Sequence, residues 1–423
     1  MTMADEHTCD LNIGSIDCCQ VCGSKNTQHV IDMGFVAPCD SLLTPAQLRE
    51  PETSFPLNVF RCRECGLVQI DHVVDPASLF HPEYPYRSGI TETLRKNLHA
   101  IALRVASKVN LAPGSLVVDV GSNDGTILQG FKSAGMRVLG VEPTRIADIA
   151  IADGIETVNA FFSEALAESI RKSHGPAAVV TAANVFAHVN QLGGLLRGVS
   201  ALLQEGGVFV SESHYMLDIL ATLQYDSIYH EHLRFYLLKP LQTLFRAHGF
   251  TLEDVERIPN YGGSIRIYAR KGESSKVSDS VRELIALEED AGCYEDKTYI
   301  DFANAIEKSR SDIRALMVQL KQQGNRVVGI GCPGRAMTLL AYCGITPDLL
   351  PYIAEQSTSL KLGLHTPNTH IPVVDETRMF EEQPEYALML SWHYAEPIVK
   401  TLRARGLRYK VIVPLPTLRI LEP

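Results

Sequence analysis

Apolar residues along this chain fall into short runs separated by stretches of helical spacing. Between residues 115 and 270 the runs LVVDV (116–120), RVLGV (137–141), AVVTA (178–182) and VFVSE (208–212) have strand length, and helix-like segments lie between them. That alternation predicts a doubly wound parallel α/β sheet. Residues 276–323 carry Val281, Leu284, Ile285 and Leu287, then Phe302, Ile306, Ile313, Leu316 and Met317, among Glu, Lys and Gln, which predicts helix. At Arg326 a new strand, RVVGIG, opens a glycine-rich turn, and strand-like runs recur at 349–353, 386–391 and 410–414, so a second Rossmann-like α/β unit is expected. Upstream of residue 66 the runs are short, helical periodicity is weak, and Pro38, Pro45, Pro51 and Pro56 punctuate the segment. The expected organisation is α/β with three domains: a small module over 1–85, a central domain over 86–275, and a C-terminal domain over 324–423 reached through a helical connector at 276–323.

Composition agrees with that size. At 423 residues, 45% hydrophobic and 21% charged, the chain is long enough for two to four globular domains. A net charge of −10 argues against a broad basic surface for nucleic acid and leaves room only for a local basic pocket. No apolar run approaches the ~18 residues that span a bilayer. The longest candidate, 177–189, is interrupted by Thr181, Asn184 and His188. The opening MTMADEHTCD has acids and no apolar stretch, so no secretory leader is read and a cytoplasmic location is expected.

Seven of the ten cysteines precede residue 66. Cys19-x2-Cys22 and Cys62-x2-Cys65 place two thiolates on each of two tight turns, the arrangement a tetrahedral zinc ion needs. Four thiolates close the coordination sphere, so the predicted ion is structural. The 39 residues between Cys22 and Cys62 exceed the ~15–20 of a compact ribbon, and an inserted excursion must lie between the knuckles. Cys18 competes with Cys19 for the first position. Cys9, Cys39, Cys293, Cys332 and Cys343 show no partner and read as small buried hydrophobes.

After the first central strand, LVVDVGSNDG places Asp119, Gly121, Asn123, Asp124 and Gly125 around a turn that opens a helix, and Glu142 ends the second strand, 21 residues after Gly121. Glycine lets backbone approach a ligand, and the second-strand acid suits ribose hydroxyls. The loop lacks G-x-G-x-x-G and carries an acid where a pyrophosphate would sit. S-adenosylmethionine, which has a cationic sulfonium and no phosphate, fits better. A methyltransferase is the reading.

These residues bring a family into view. The paired knuckles, FHPEYPYRSG (80–89), DVGSNDG, NVFAHV, YDSIYHEHLRFY (225–236), YGGSIRIY (261–268), TLLAY and HIPV resemble the sugar-nucleotide C-methyltransferases of branched deoxysugar synthesis, over nearly the whole chain. The resemblance implies a zinc domain, a class I methyltransferase domain and a Rossmann-like C-terminal domain, with a nucleotide-diphosphate sugar between the last two. It places Tyr229, Glu231 and His232 in the active site. Carbon methylation needs a carbanion, which a sugar offers only beside a carbonyl, so a base must take the α proton. His232 is the preferred base and Glu231 its rival. HExxH metalloprotease chemistry fails because Arg234 stands where the second His is required. His188 and Asn184, at the end of a core strand, can reach the cofactor edge. The resemblance also folds the loop of Tyr84 and Tyr86 over the cofactor.

On the substrate side, Gly263, Ser264 and Arg266 offer close backbone approach and a guanidinium to a diphosphate. Gly329-x-Gly331-x-x-Gly334, with Glu355 21 residues on, mimics a dinucleotide fingerprint, but Pro333 interrupts it. The family pattern near Y-G-A-x-A-K-G reads G-I-G-C-P-G-R here, with Arg335 near the expected Lys, and the family's W-N is Trp392-His393. Alternative functions are O-methylation of a sugar or small metabolite, which needs no ketone, and a zinc-knuckle nucleic-acid binder. A monomer or small homo-oligomer is expected.

Overall fold

The computed structural model describes residues 9–423 apart from 83, 85, 86, 90 and 91. Its central sheet has seven strands: β1 (Leu116–Val120), β2 (Arg137–Val141), β3 (Thr157–Val158), β4 (Ala177–Ala183), β5 (Leu203–His214), β6 (Phe250–Ile258) and β7 (Ser264–Lys271). The order is β6-β7-β5-β4-β1-β2-β3. β7 runs antiparallel to both its neighbours and the remaining pairs are parallel. Every residue of β1 is buried, because crossover helices cover both faces of a parallel sheet. From β1 the chain winds outward through β2 and β3, then returns to the other side at β4. The carboxyl ends of β1 and β4 therefore flank the crevice where α/β sheets hold ligands.

The connector is two helices, Asp279–Asp290 and Asp296–Gln322. In the second, Tyr299, Phe302, Ile306, Ile313, Met317 and Leu320 recur every three, four or seven residues and are the ones buried. Beyond it lie β8 (Val327–Ile330), β9 (Ile353–Glu355), β10 (Val373–Asp375), β11 (Tyr386–Met389), β12 (Lys410–Val413) and β13 (Arg419–Leu421), in the order β10-β9-β8-β11-β12-β13. The strand expected at 349–353 begins only at Ile353. Pro351, which has no N–H to give a ladder, delays it. Among the described residues no helix is long and apolar enough to cross a membrane.

The N-terminal sheet pairs Thr27–Val36, Phe55–Cys62 and Val68–Ile70 antiparallel, and its edge is completed by Arg234–Phe235 from far downstream. The excursion between the knuckles runs across to the C-terminal unit. Leu43 bridges His365, Ala37 N–H donates to Asn368 Oδ1 (2.8 Å), and Asn368 N–H donates to Glu52 (2.9 Å).

All three units close on segment 225–236. Arg335 donates through Nε and Nη2 to the Asp226 carboxylate, each at 2.7 Å, and Trp392 Nε1 donates to the same carboxylate at 2.7 Å. Thr338 donates to Ile228 O (2.8 Å), His230 Nε2 to Pro56 O (3.1 Å), and Arg234 Nη2 to Val189 O (2.6 Å). Asp226 and Arg335 are 1% and 8% exposed, so removing either leaves a buried charge unpaired. Asp226→Ala or Arg335→Ala should each cost roughly 3–5 kcal/mol in denaturant unfolding. The double variant should cost clearly less than the sum, and strict additivity would show that the pair is not coupled.

Candidate active site and metal centre

At the carboxyl end of β1 the backbone turns sharply through Gly121 (φ 67°), where a Cβ would strike Val185. Gly125, also at positive φ (74°), then leads into helix Thr126–Ser133. Asp119 accepts from Thr181 Oγ1 (2.5 Å), and burial pushes its carboxyl up to about 7. Glu142 takes the Asn123 N–H on one oxygen (3.0 Å) and Thr144 N–H and Oγ1 on the other (2.9 and 2.7 Å), so its carboxylate is fixed in the crevice. Ser122 Oγ and Asn184 Oδ1 are buried there without a partner among the described residues, and Asn184 adopts φ 55°. A crevice with a close-approach glycine, a fixed carboxylate and two unsatisfied polar atoms suits an adenosyl ligand.

Asp124 does something else. Its Oδ1 accepts from Thr126, and its Oδ2 accepts from Arg87 Nε (3.0 Å) and Gly89 N–H (2.9 Å), while Asn123 Oδ1 accepts from Ser88 N–H (2.8 Å). These two residues strap the 87–89 segment across the crevice. Tyr86 lies outside the described residues. Tyr84 is not at the crevice by hydrogen bond but donates its hydroxyl to Glu231 Oε2 at 2.9 Å.

His232 sits at the centre of a ring of aromatics. Its ring centroid is 4.0 Å from Tyr229, 4.9 Å from His188 and 4.8 Å from His214. Nδ1 lies 2.7 Å from Ser227 O. A carbonyl can only accept, so Nδ1 carries the proton and Nε2 is the basic atom. Burial, opposed by that hydrogen bond and helped by Arg335, lowers His232 to about 4. Enclosure and the His232 ring hold His188 well below its ordinary value. Glu231 is shifted the other way, upward, by burial and by Asp40, although Cys39 Sγ (3.3 Å) and Tyr84 donate to it. His230 points away, into the N-terminal sheet.

The sulfurs of Cys19, Cys22, Cys62 and Cys65 lie within 4.8 Å of one another. Cys19–Cys65 and Cys22–Cys62 are 3.5 and 3.6 Å apart. Four sulfurs at ~2.3 Å from a zinc ion stand close to 3.8 Å apart, so the donor set fits tetrahedral zinc. Cys18 stays outside this cluster, which decides the first position for Cys19.

Family models match three stretches: a zinc-binding domain residues 19–80, a methyltransferase domain 86–255, and a C-methyltransferase C-terminal domain 259–416, which takes in the last strand of the central sheet and the helical connector. The C-methyltransferase NovU of Streptomyces niveus is 35% identical over 412 residues, which is 96% of this chain and 97% of NovU. This chain belongs to the C-methyltransferase family. It is a methyltransferase that uses S-adenosylmethionine and carries a zinc site. Among solved structures, the 1,6-didemethyltoxoflavin-N1-methyltransferase of Burkholderia thailandensis is 17% identical with a TM-score of 0.36, covering 49% of this chain and 95% of its own. The magnesium protoporphyrin IX methyltransferase of Synechocystis PCC 6803 with bound S-adenosylmethionine is 13% identical with a TM-score of 0.32, covering 42% and 79%.

Of the residues expected to meet the substrate, Gly263 (φ 125°) packs so tightly that a Cβ would meet Asp218, and Ser264 Oγ donates to Asn260 O (3.1 Å). Arg266 does not reach into the cleft as an open anion clamp. Its guanidinium is held between Glu212 (2.8 Å) and Glu256 (3.2 Å) and is 7% exposed. Arg335 is likewise engaged by Asp226, Gln224 and Tyr261 O. Several residues had no motif to mark them: Cys39, Asp40 and Lys361, whose ammonium pairs with Asp40 at 2.7 Å beside Glu231, and His214 at the end of β5. Cys39 was expected to be an inert hydrophobe and instead donates to Glu231. The only signal for His214 was a basic side chain closing an apolar strand.

Metal analysis of the methyltransferase should return one zinc per chain, and Cys62→Ser should lose it and unfold the N-terminal sheet. Cadmium substitution should preserve turnover, because a four-thiolate site has no open position. A metal-free enzyme with full stability would contradict the zinc site. Acid dependence follows from His232. Its folded value near 4 lies below the ordinary 6.5, so between those values the unfolded chain takes up a proton that the folded chain refuses. The stability contribution is whole above pH ~6.5 and is lost as pH falls toward 4, on the order of 3 kcal/mol. His232→Asn should flatten the melting-temperature slope in that window, and an unchanged slope would contradict a neutral buried imidazole.

Proposed function

We propose that the enzyme methylates the carbon next to the keto group of a nucleotide-linked deoxysugar through an enolate. The observation that carries this reading is His232: an imidazole with Nδ1–H fixed on Ser227 O, free Nε2, and burial that keeps it unprotonated at neutral pH. A carbon acid needs such a base, and methyl transfer to a hydroxyl of a small metabolite would not require a ketone. Bound S-adenosylmethionine supplies an electrophilic methyl group, with Glu142, Asn184 and the Gly121 turn as the residues that would hold it.

The protein's own part is proton removal and confinement. His232 Nε2 takes the α proton, and the C–H pair becomes the enolate π bond while the carbonyl pair moves to oxygen. Glu231 is the weaker candidate base. Both its oxygens already accept hydrogen bonds, and its raised pKa keeps more of it protonated. Its place between Tyr84 and Cys39 suits orientation of the segment that carries His232. The nucleotide-diphosphate is read between the central and C-terminal sheets, by the resemblance of YHEH and GGSIR to the sugar-nucleotide enzymes.

His232→Asn keeps a donor for Ser227 O, so binding of S-adenosylmethionine should be unchanged while turnover falls on the order of 10²-fold or more. In deuterium oxide the native enzyme should wash deuterium into the carbon next to the ketone, and His232→Asn should not. An O-linked methyl product without exchange would overturn the enolate route. Full loss in Glu231→Gln with His232→Asn still active would move the base to Glu231.

A further inference from the structure

Proton removal from a carbon beside a ketone places negative charge on the carbonyl oxygen, and that oxygen needs a hydrogen-bond donor. The obvious cations are engaged elsewhere: Arg335 on Asp226, and Arg266 on Glu212 and Glu256. His214 is differently placed. It is the last residue of β5 and stands opposite Ser264 of β7, at the carboxyl edge beside the Gly262–Gly263 turn. Its ring centroid is 4.8 Å from His232 and 6.2 Å from Tyr261. No described residue hydrogen-bonds its ring. Besides His232, the Arg335 guanidinium and two further histidines, His188 and His393, lie near enough to act on the same imidazole, so groups of both the central and the C-terminal unit surround it.

We propose that His214 is a second catalytic histidine, which donates a hydrogen bond to the acceptor's carbonyl oxygen while His232 takes the proton from the adjoining carbon. The assignment rests on the enolate reading above. Two imidazoles with touching rings thus divide the work. One has its Nδ1–H fixed on a carbonyl, which leaves Nε2 as its basic nitrogen, and the other makes no ring hydrogen bond to any described residue. Atoms balance within the pair: the C–H bond breaks, the proton goes to His232 Nε2, and the electron pair ends on the oxygen that His214 contacts. Enclosure, the neighbouring His232 ring and the Arg335 guanidinium hold His214 well below its ordinary pKa, so it donates as neutral imidazole rather than transferring its own proton. His393 acts on the same imidazole from the C-terminal unit, and its Nδ1 is buried with no partner among the described residues.

The test uses the full-length enzyme, S-adenosylhomocysteine, and a thymidine diphosphate 4-keto-6-deoxyhexose as probe, with deuterium exchange next to the ketone followed by NMR. His214→Met, similar in length without a donor, should slow exchange on the order of 10²-fold, the worth of one such donor, with affinity for S-adenosylhomocysteine unchanged. His214→Gln, which keeps an N–H, should recover most of that rate. Exchange in His214→Met within threefold of the native rate overturns the proposal. So does equal loss in the Met and Gln variants, which marks a structural role, and so does loss in Tyr229→Phe alone, which makes the phenol the donor. If His214→Met does not fold, His214→Ala is judged by the same criteria. Absence of exchange in the native enzyme overturns the keto-sugar reading itself.

Discussion

One carboxylate organises this molecule. Asp226 is almost fully buried, and it accepts from two nitrogens of Arg335 and from the indole of Trp392, all supplied by the C-terminal unit. Burying a charge pair recovers its desolvation cost only when geometry is this well satisfied, so the gain lies less in net stability than in selecting a single arrangement. The pair sits three residues before Tyr229. On the other side of the motif, Arg234–Phe235 pairs with Val68–Ile70, and the Arg234 guanidinium donates to the carbonyls of Phe186 and Val189. Segment 225–236 is thereby pinned at both ends by different domains, and the side chains between have little freedom left. Geometry set in advance is what the proposed proton transfer requires.

The same closure sets the electrostatics. Water excluded from the junction leaves His188, His214 and His232 neutral, and pushes Glu231 toward its protonated form. Opposed shifts in neighbouring groups separate their roles at one pH. The buried Lys361–Asp40 pair lies at the edge of this arrangement, joining the knuckle excursion to the C-terminal unit and placing a carboxylate near Glu231. The zinc knuckles are remote from the chemistry in role yet linked to it in structure. They hold the sheet whose edge strand is the tail of segment 225–236.

Local chemistry was readable along the chain. The strands at 116–120 and 137–141 are where their apolar runs put them, because a parallel strand buried on both faces is apolar residue after residue. The two CxxC turns announced their ion, since ligand spacing is a property of a few consecutive residues. Pro351 shows the same rule at finer scale. A missing N–H delayed a strand that the apolar run alone would have begun earlier.

What the sequence by itself determined was therefore what is encoded within one element: most strands, the turns and the two knuckles. Only the tertiary structure decided how elements are used together. It turned Cys39 into a donor to Glu231 across 192 residues, brought Lys361 to Asp40 across 321, and set Arg335 on Asp226 across 109. It also engaged Arg266 with two carboxylates, a fate its GGSIR motif did not carry. The physical reason is that hydrogen bonds and burial are satisfied by whatever group packing brings near, and spacing along the chain carries no record of those partners.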